Sequence, residues 1–466
     1  MNHFYCFFRK PELKGLAIKK DLDNQDKFCG LSEEAIAVTK DNEKQAYGLK
    51  NGRKCHFCHA YLLPSEHDGF CCNNGHIKLP LSDPPAMLKE KLKNDPNFKD
   101  EIRSYNNSLA MASLGFDELV RSSRWNPTLK FGGKMYHQIG PLRTSDGKPR
   151  SFAQMYVNDP SIDAEAEAER RIQSVTLERT EHKIDKKTML ELQAMIHEHN
   201  PYAASFKALA DIPEDQVKDV KFVLKKDKRR QTDEHKGRYN LPTSCNEIAL
   251  IALNDVNDPA DVRIQLKDGP NKFISDLNQH FDPLHYVLLF PDGRPGWCVE
   301  LYQTDPETGG VRKNKSGQPM KISPTMFYNY QLQTRDEQFH FNTIPRSGKL
   351  MQEYACMQFY KAERQRLNYI KNNQAQIKAA KYKEFKDALH QNDNMENIGE
   401  RIILPGTHYC SPRWYQNCFQ DGMALVRSFG KPHLFLTFTA NAKWPEIEAS
   451  LEKNEKSYDR PDVVNR

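Results

Sequence analysis

At 466 residues the chain is too long for one ordinary domain, and two to four compact units joined by polar linkers are expected. Hydrophobic residues make up 38% and charged residues 28%, with a mean hydropathy of -0.79, so a membrane protein is excluded and exposed helices or polar connections are implied. The net charge of +6 is modest, so any nucleic-acid affinity has to come from local clusters of Lys and Arg. Residues 1–45 form a polar lead-in whose apolar run, Phe4 to Phe8, is too short for a signal sequence or a span; an intracellular protein is expected.

A cysteine-rich module follows over 46–80. Cys55-His56-Phe57-Cys58 is a C-x-x-C turn, which lets two thiolates converge on one tetrahedral zinc. Cys71-Cys72 and His76 come next and can close the site. Adjacent cysteines seldom serve one ion together, so the fourth ligand stays open between the second cysteine and His76, with His56, His59 or His67 as substitutes. Such a zinc is structural, because no coordination position stays open. The bland alternative is a set of buried free thiols. Eleven cysteines in a long chain do not suggest a disulfide framework.

Pro80, Pro84 and Pro85 close this module, and 81–300 then reads as a mixed α/β region. Strands are predicted within Met135–Tyr156, helices over Ala164–Arg179, Lys187–His199 and Ala203–Leu209, and short strands at Ile248–Leu253, Val262–Leu266 and Tyr286–Phe290. The span Lys218–Arg238 carries nine Lys/Arg, and Lys225, Lys226, Lys228, Arg229 and Arg230 at its centre are candidate phosphate contacts. A solvated loop or a localisation signal explains the same charge.

Residues 301–322 are Gly- and Lys-rich and read as a polar linker, with a last domain over 323–466. Gly348–Gln391 has a helical apolar repeat with a break expected near Asn372-Asn373, and its basic residues include Lys361 and, as candidate DNA contacts, Arg364, Arg366, Lys378 and Lys381. Tyr360, Tyr369 and Tyr382 between them suit base stacking, although such stripes are more often packing surface. A helix over Tyr415–Phe429 and a buried strand over Leu434–Thr439 complete the chain.

Two chemistries are absent from the sequence. No G-x-x-x-x-G-K-[ST] loop is present, so no ATP site is recognisable. His197-Glu198-His199 falls on a helix, where residues two apart point to nearly opposite sides, so it does not make a metal pair.

Several phrases resemble the Helitron rolling-circle transposase family. They include Tyr136-His137-Gln138-Ile139-Gly140, Asp282-Pro283-Leu284-His285-Tyr286, Leu288-Leu289-Phe290-Pro291-Asp292-Gly293, Asp421-Gly422-Met423-Ala424 and Lys443-Trp444-Pro445-Glu446. Ala440 and Ala442 depart from the family's usual Cys and Pro. The resemblance implies an α+β multidomain chain: a small zinc-knot module, a mixed DNA-binding region and the start of a Helitron helicase-like domain that opens an incomplete rolling-circle (HUH-type) nuclease. It also implies single-stranded DNA as partner, a nuclear location, and a divalent metal for the complete nuclease only. The metal-binding histidine strand and the catalytic tyrosines of the family are expected beyond Arg466, leaving no catalytic residue in this chain. A host-retained nucleic-acid-binding protein without enzymatic activity, or an inert transposon remnant, is the competing expectation.

Overall fold

A computed structural model describes residues 49, 52–63, 66–121, 129–143, 150–157, 163–176, 184–212, 221–224, 249–252, 262–265, 267, 270–374, 404–432, 441–452 and 455–464. The expected lead-in, the basic centre of 218–238 and the expected strand Leu434–Thr439 lie outside these residues. The architecture mixes helices with small antiparallel sheets, an α+β fold. It divides into two compact units: one holds the described residues of 32–355 and 445–466, the other those of 356–444.

The larger unit opens with a hairpin, β1 (Arg53–Lys54) and β2 (Tyr61–Leu62), in antiparallel register Arg53↔Leu62. Helices α1 (Ala86–Asn94) and α2 (Pro96–Leu109) follow, then the long strands β3 (Ser113–Arg121) and β4 (Leu129–Ile139). Next come α3 (Ala164–Thr176), α4 (Lys186–His199) and α5 (Pro201–Ala208), then short strands β5 (Lys221–Leu224), β6 (Ala249–Ala252), β7 (Val262–Gln265) and β8 (Lys272–Ile274). The strands form two three-stranded antiparallel sheets, ordered β3-β4-β8 and β6-β5-β7. Helices α6 (Phe281–His285) and α7 (Pro324–Leu332) lead to α8 (Gly348–Asn372), whose end coincides with the break expected at Asn372-Asn373.

Helix starts follow one local rule. Asp95-Pro96, Asn200-Pro201, Ser323-Pro324 and Ser411-Pro412 each place an oxygen-bearing side chain at the cap and a proline in the first turn. The side chain accepts a hydrogen bond from an otherwise unpaired amide, as in Phe98 N to Asp95 Oδ1 at 3.0 Å, and the proline's fixed φ suits the first turn.

The core centres on residues 281–290, nearly all of them buried. A strand was expected over Tyr286–Phe290, and the structure instead forms α6 followed by turns. Its polar backbone finds partners without a sheet: Asn106 Nδ2 donates to the His285 carbonyl at 2.9 Å, Leu288 N donates to Asn106 Oδ1, and the amides of Met111 and Ala112 both donate to the Leu284 carbonyl. With those groups satisfied, an apolar run has no need of a ladder. Tyr286, Tyr328 and Tyr354 pack edge to face above it, and Tyr328 Oη donates to the buried Asp282.

The last residues return to the same unit. Helices α10 (Pro445–Glu448) and α11 (Pro461–Val464) are clasped by two buried guanidinium groups. Arg346 pairs with Glu337 and Glu452, and Arg460 with Asp462 and Glu455. The smaller unit contains α9 (Pro412–Phe429) and the final turns of α8, with His408 paired to Glu363 at 2.8 Å.

Candidate metal centre

The β1–β2 hairpin makes a tight knuckle: Cys55 N donates to the Ala60 carbonyl and His59 N to the Cys55 carbonyl, with His59 at φ 56°. A second knuckle closes at Asn73, Asn74 and Gly75, all with positive φ, and Ile77 N donates back to the Cys72 carbonyl. Cys71 and Cys72 themselves lie in a run of turns over 68–76 rather than in extended backbone, so their side chains do not alternate to opposite sides.

The sulfurs of Cys55, Cys58, Cys71 and Cys72 all lie within 4.8 Å of one another and all four residues are buried. The Cys55–Cys72 and Cys58–Cys71 sulfurs are 3.6 Å and 3.4 Å apart. A tetrahedral ion bound at about 2.3 Å to each sulfur needs edges of about 3.8 Å, so the cluster has the right size. Contacts from Cys55 and Cys58 push the Cys71 and Cys72 thiols far above their ordinary range. Four sulfurs this close cannot all ionise unless a cation sits among them. The donor set therefore fits a metal ion.

Surrounding groups complete the arrangement. Gly75 N lies 3.2 Å from Cys72 Sγ. The buried Arg335 donates Nε–H to the Cys58 carbonyl at 3.2 Å and lies over the Tyr330 ring. Cys55 pushes the Cys58 thiol up, but contacts from Cys71 and Cys72 outweigh it and hold the thiol down, with the Arg335 charge adding a smaller part. A four-thiolate site around a divalent ion carries excess negative charge, which a buried guanidinium offsets. Nothing in the cysteine spacing points to Arg335, which lies 277 positions from Cys58.

Of the residues expected at this site, the structure brings together the four cysteines. His76 stands apart from them: its Nδ1 is 3.1 Å from the Thr304 carbonyl. Among the expected DNA contacts, Arg364 and Arg366 lie on α8, two residues apart and so on different faces; Arg366 is exposed and paired with Glu363 at 3.5 Å. Lys361, expected on the same basic face, is buried. Lys225, Lys226, Lys228, Arg229, Arg230, Lys378 and Lys381 lie outside the described residues. His197 and His199 sit at the end of α4, with His197 beside Glu167 at 3.8 Å.

Residues 301–322, read from sequence as a linker, form an ordered strap in which three short extended pieces are each bridged to the other two: Tyr302↔Lys321, Thr304↔Val311 and Lys313↔Pro319. The polar sequence misleads because the pieces are held by backbone pairing and side-chain-capped turns, with little apolar burial. The strap is tied to the second knuckle by Thr304 N donating to the His76 carbonyl at 2.8 Å.

Residues 327–466 match the family described as the Helitron helicase-like domain at the N-terminus. No curated protein matches the chain. The matched segment starts inside α7 and is shared between the two compact units. Among the described residues no helix is long and apolar enough to cross a membrane.

Proposed function

We propose, from the match of residues 327–466 to the Helitron helicase-like domain, that this protein is the amino-terminal region of a Helitron transposase and binds single-stranded DNA during transposition. That match is the observation that carries the reading. The binding role, rather than strand cleavage, is assigned to these residues: the sole His-x-His in the sequence is the helical His197-Glu198-His199, whose rings project from different faces. The domain's HUH-type nuclease character, the division of the chain into cysteine module, mixed region and helicase-like domain, and nuclear residence belong to the same proposal.

Zinc is the ion proposed for the cysteine centre. An all-thiolate tetrahedral set favours zinc or iron over harder cations, and with four protein ligands there is no open position for substrate. The ion's part is to cross-link the two knuckles and hold the surface built on them. Metal analysis of freshly purified protein is expected to give one zinc per chain.

The functional reading is tested by titrating a labelled single-stranded oligonucleotide across a salt series. Binding that weakens steeply as salt rises, and that prefers single strands to duplex, is the expected result. Absence of binding at low salt by the folded, metal-loaded chain would rule the reading out.

A further inference from the structure

The strap over 301–322 has two turns of opposite character. One carries Asp305 and Glu307, and the Asp305 carboxylate is occupied by the amides of Glu307 and Thr308 at 2.9 and 3.1 Å. The other is basic, with Lys313 and Lys315 flanking Asn314 and with Lys321 on the returning piece. All three lysines are exposed, and none forms an ion pair among the described residues.

These cations stand on a fixed backbone. Asn314 Oδ1 accepts from the amides of Ser316 and Gln318 at 3.0 and 2.9 Å, Asn314 N donates to the Gln318 carbonyl, and Gly317 takes φ 77° to close the turn. Arg312 is drawn back onto Gln303 Oε1 at 3.0 Å, and Asn73 of the second knuckle donates to the same oxygen. The strap base is thereby locked to the cysteine centre through Asn73 and His76. On that knuckle the ring of Phe57 covers Gly75 so closely that a Cβ there would come within 2.6 Å of it, yet Phe57 remains 55% exposed.

We infer that the strap and the adjoining knuckle form a single-stranded nucleic-acid contact, with Lys313, Lys315 and Lys321 on successive phosphates and Phe57 stacking a base. This inference rests on the DNA-binding reading above and locates it on residues that neither the cysteine motif nor the basic runs single out. Cations on a rigid strap, with no ion pair among the described residues, suit a polyanion because the backbone that carries them is already fixed, so little loop ordering opposes binding. An exposed aromatic ring over the knuckle that anchors the strap accepts any base, whereas a simple anion would have no use for it.

The test compares wild-type protein with K313Q/K315Q/K321Q and with Phe57→Ala, using labelled oligothymidylate across a salt series. Each single-strand phosphate contact contributes about 0.7 to the slope of log affinity against log salt, so the triple variant is expected to lose a slope of about 2. K313R/K315R/K321R is expected to keep the wild-type slope. Phe57→Ala is expected to weaken binding roughly five- to tenfold with the slope unchanged. Should the triple variant lose metal or structure, Lys315→Gln at the turn tip replaces it, with an expected slope loss of about 0.7. Wild-type binding with a normal salt dependence but an unaltered slope in the variants overturns this inference alone. No wild-type binding overturns the functional reading beneath it.

Discussion

Cys71 and Cys72 illustrate how one backbone feature decides a ligand set. Adjacent cysteines in an extended chain point apart, and the sequence accordingly leaves the last ligand open between the second cysteine and His76. The turns over 68–76 keep Cys71 and Cys72 out of extended backbone so that both sulfurs face Cys55 and Cys58, and after the left-handed run Asn73-Asn74-Gly75 His76 is directed to the Thr304 carbonyl. Cys72→Ser is therefore expected to abolish stoichiometric metal binding and to lower stability on the order of 4 kcal/mol, the size associated with losing a structural metal. His76→Ala is expected to keep one metal and to cost about 1 kcal/mol for the lost hydrogen bond. Metal analysis with urea unfolding of the two variants separates the outcomes. The C-x-x-C pair was legible because its geometry is local; Arg335 was not, because only the fold brings it to Cys58.

A second residue-scale expectation concerns His340. Burial, reinforced by Arg294 and Arg335, lowers its pKa to about 4, and Asp83 only partly counters this. The unfolded chain takes up a proton near the ordinary value of about 6.5 and the folded chain does so only near pH 4, so the neutral ring is the form that suits the fold. Its contribution is complete above pH 6.5 and is lost as pH falls toward 4, by up to about 3 kcal/mol. Urea midpoints of wild type and His340→Gln across this range are expected to converge as the pH falls.

At the scale of elements, helices were more legible than their starts: Ala164–Thr176 and Lys186–His199 lie close to the spans expected from sequence. Pro201–Ala208 and Pro412–Phe429 instead begin before the expected Ala203 and Tyr415, because Asn200-Pro201 and Ser411-Pro412 cap and open the first turn ahead of the apolar periodicity. Residues 286–290 were misread for another reason: an apolar run carries no record of whether Asn106, some 180 positions earlier, will satisfy its backbone. The strap was missed because Gly, Lys and Asn compose both linkers and well-capped turns. The carboxy-terminal clasp was equally invisible, since Arg460 is buried among Glu455, Asp462 and Thr334 only once the chain has folded back. Removing Arg460 leaves two buried carboxylates without their main partner, a change that typically costs about 3–5 kcal/mol. Arg460→Ala is expected to lower the unfolding free energy measured in urea by that amount with secondary structure retained. A loss of unfolding free energy under about 1 kcal/mol would mean that the clasp is not held by this pair.

Across the whole molecule, the family match and the folding units do not share boundaries. The matched segment 327–466 contributes α7, which carries Tyr330 and leads into Arg335 beside the cysteines, and also the clasped residues 445–464, while 356–444 form a unit of their own. The matched segment is thus physically continuous with the cysteine centre that precedes it by some 250 residues, through Ala60↔Arg335 pairing and the Asp336 amide on the His59 carbonyl. Removing the ion is then expected to act beyond the knuckles. The strap is anchored to Asn73 and His76, one and four positions after Cys72, so loss of a metal held there is expected to release its base. If metal and strap lysines act through one surface, chelation of the wild type should lower the salt slope to that of K313Q/K315Q/K321Q, and chelation of the triple variant should add little. Such non-additivity is the mark of groups that share a contact, whereas independent sites would give additive losses. Circular dichroism on the chelated samples confines the comparison to folded protein, and additive losses there would separate the metal's structural role from the strap's binding role.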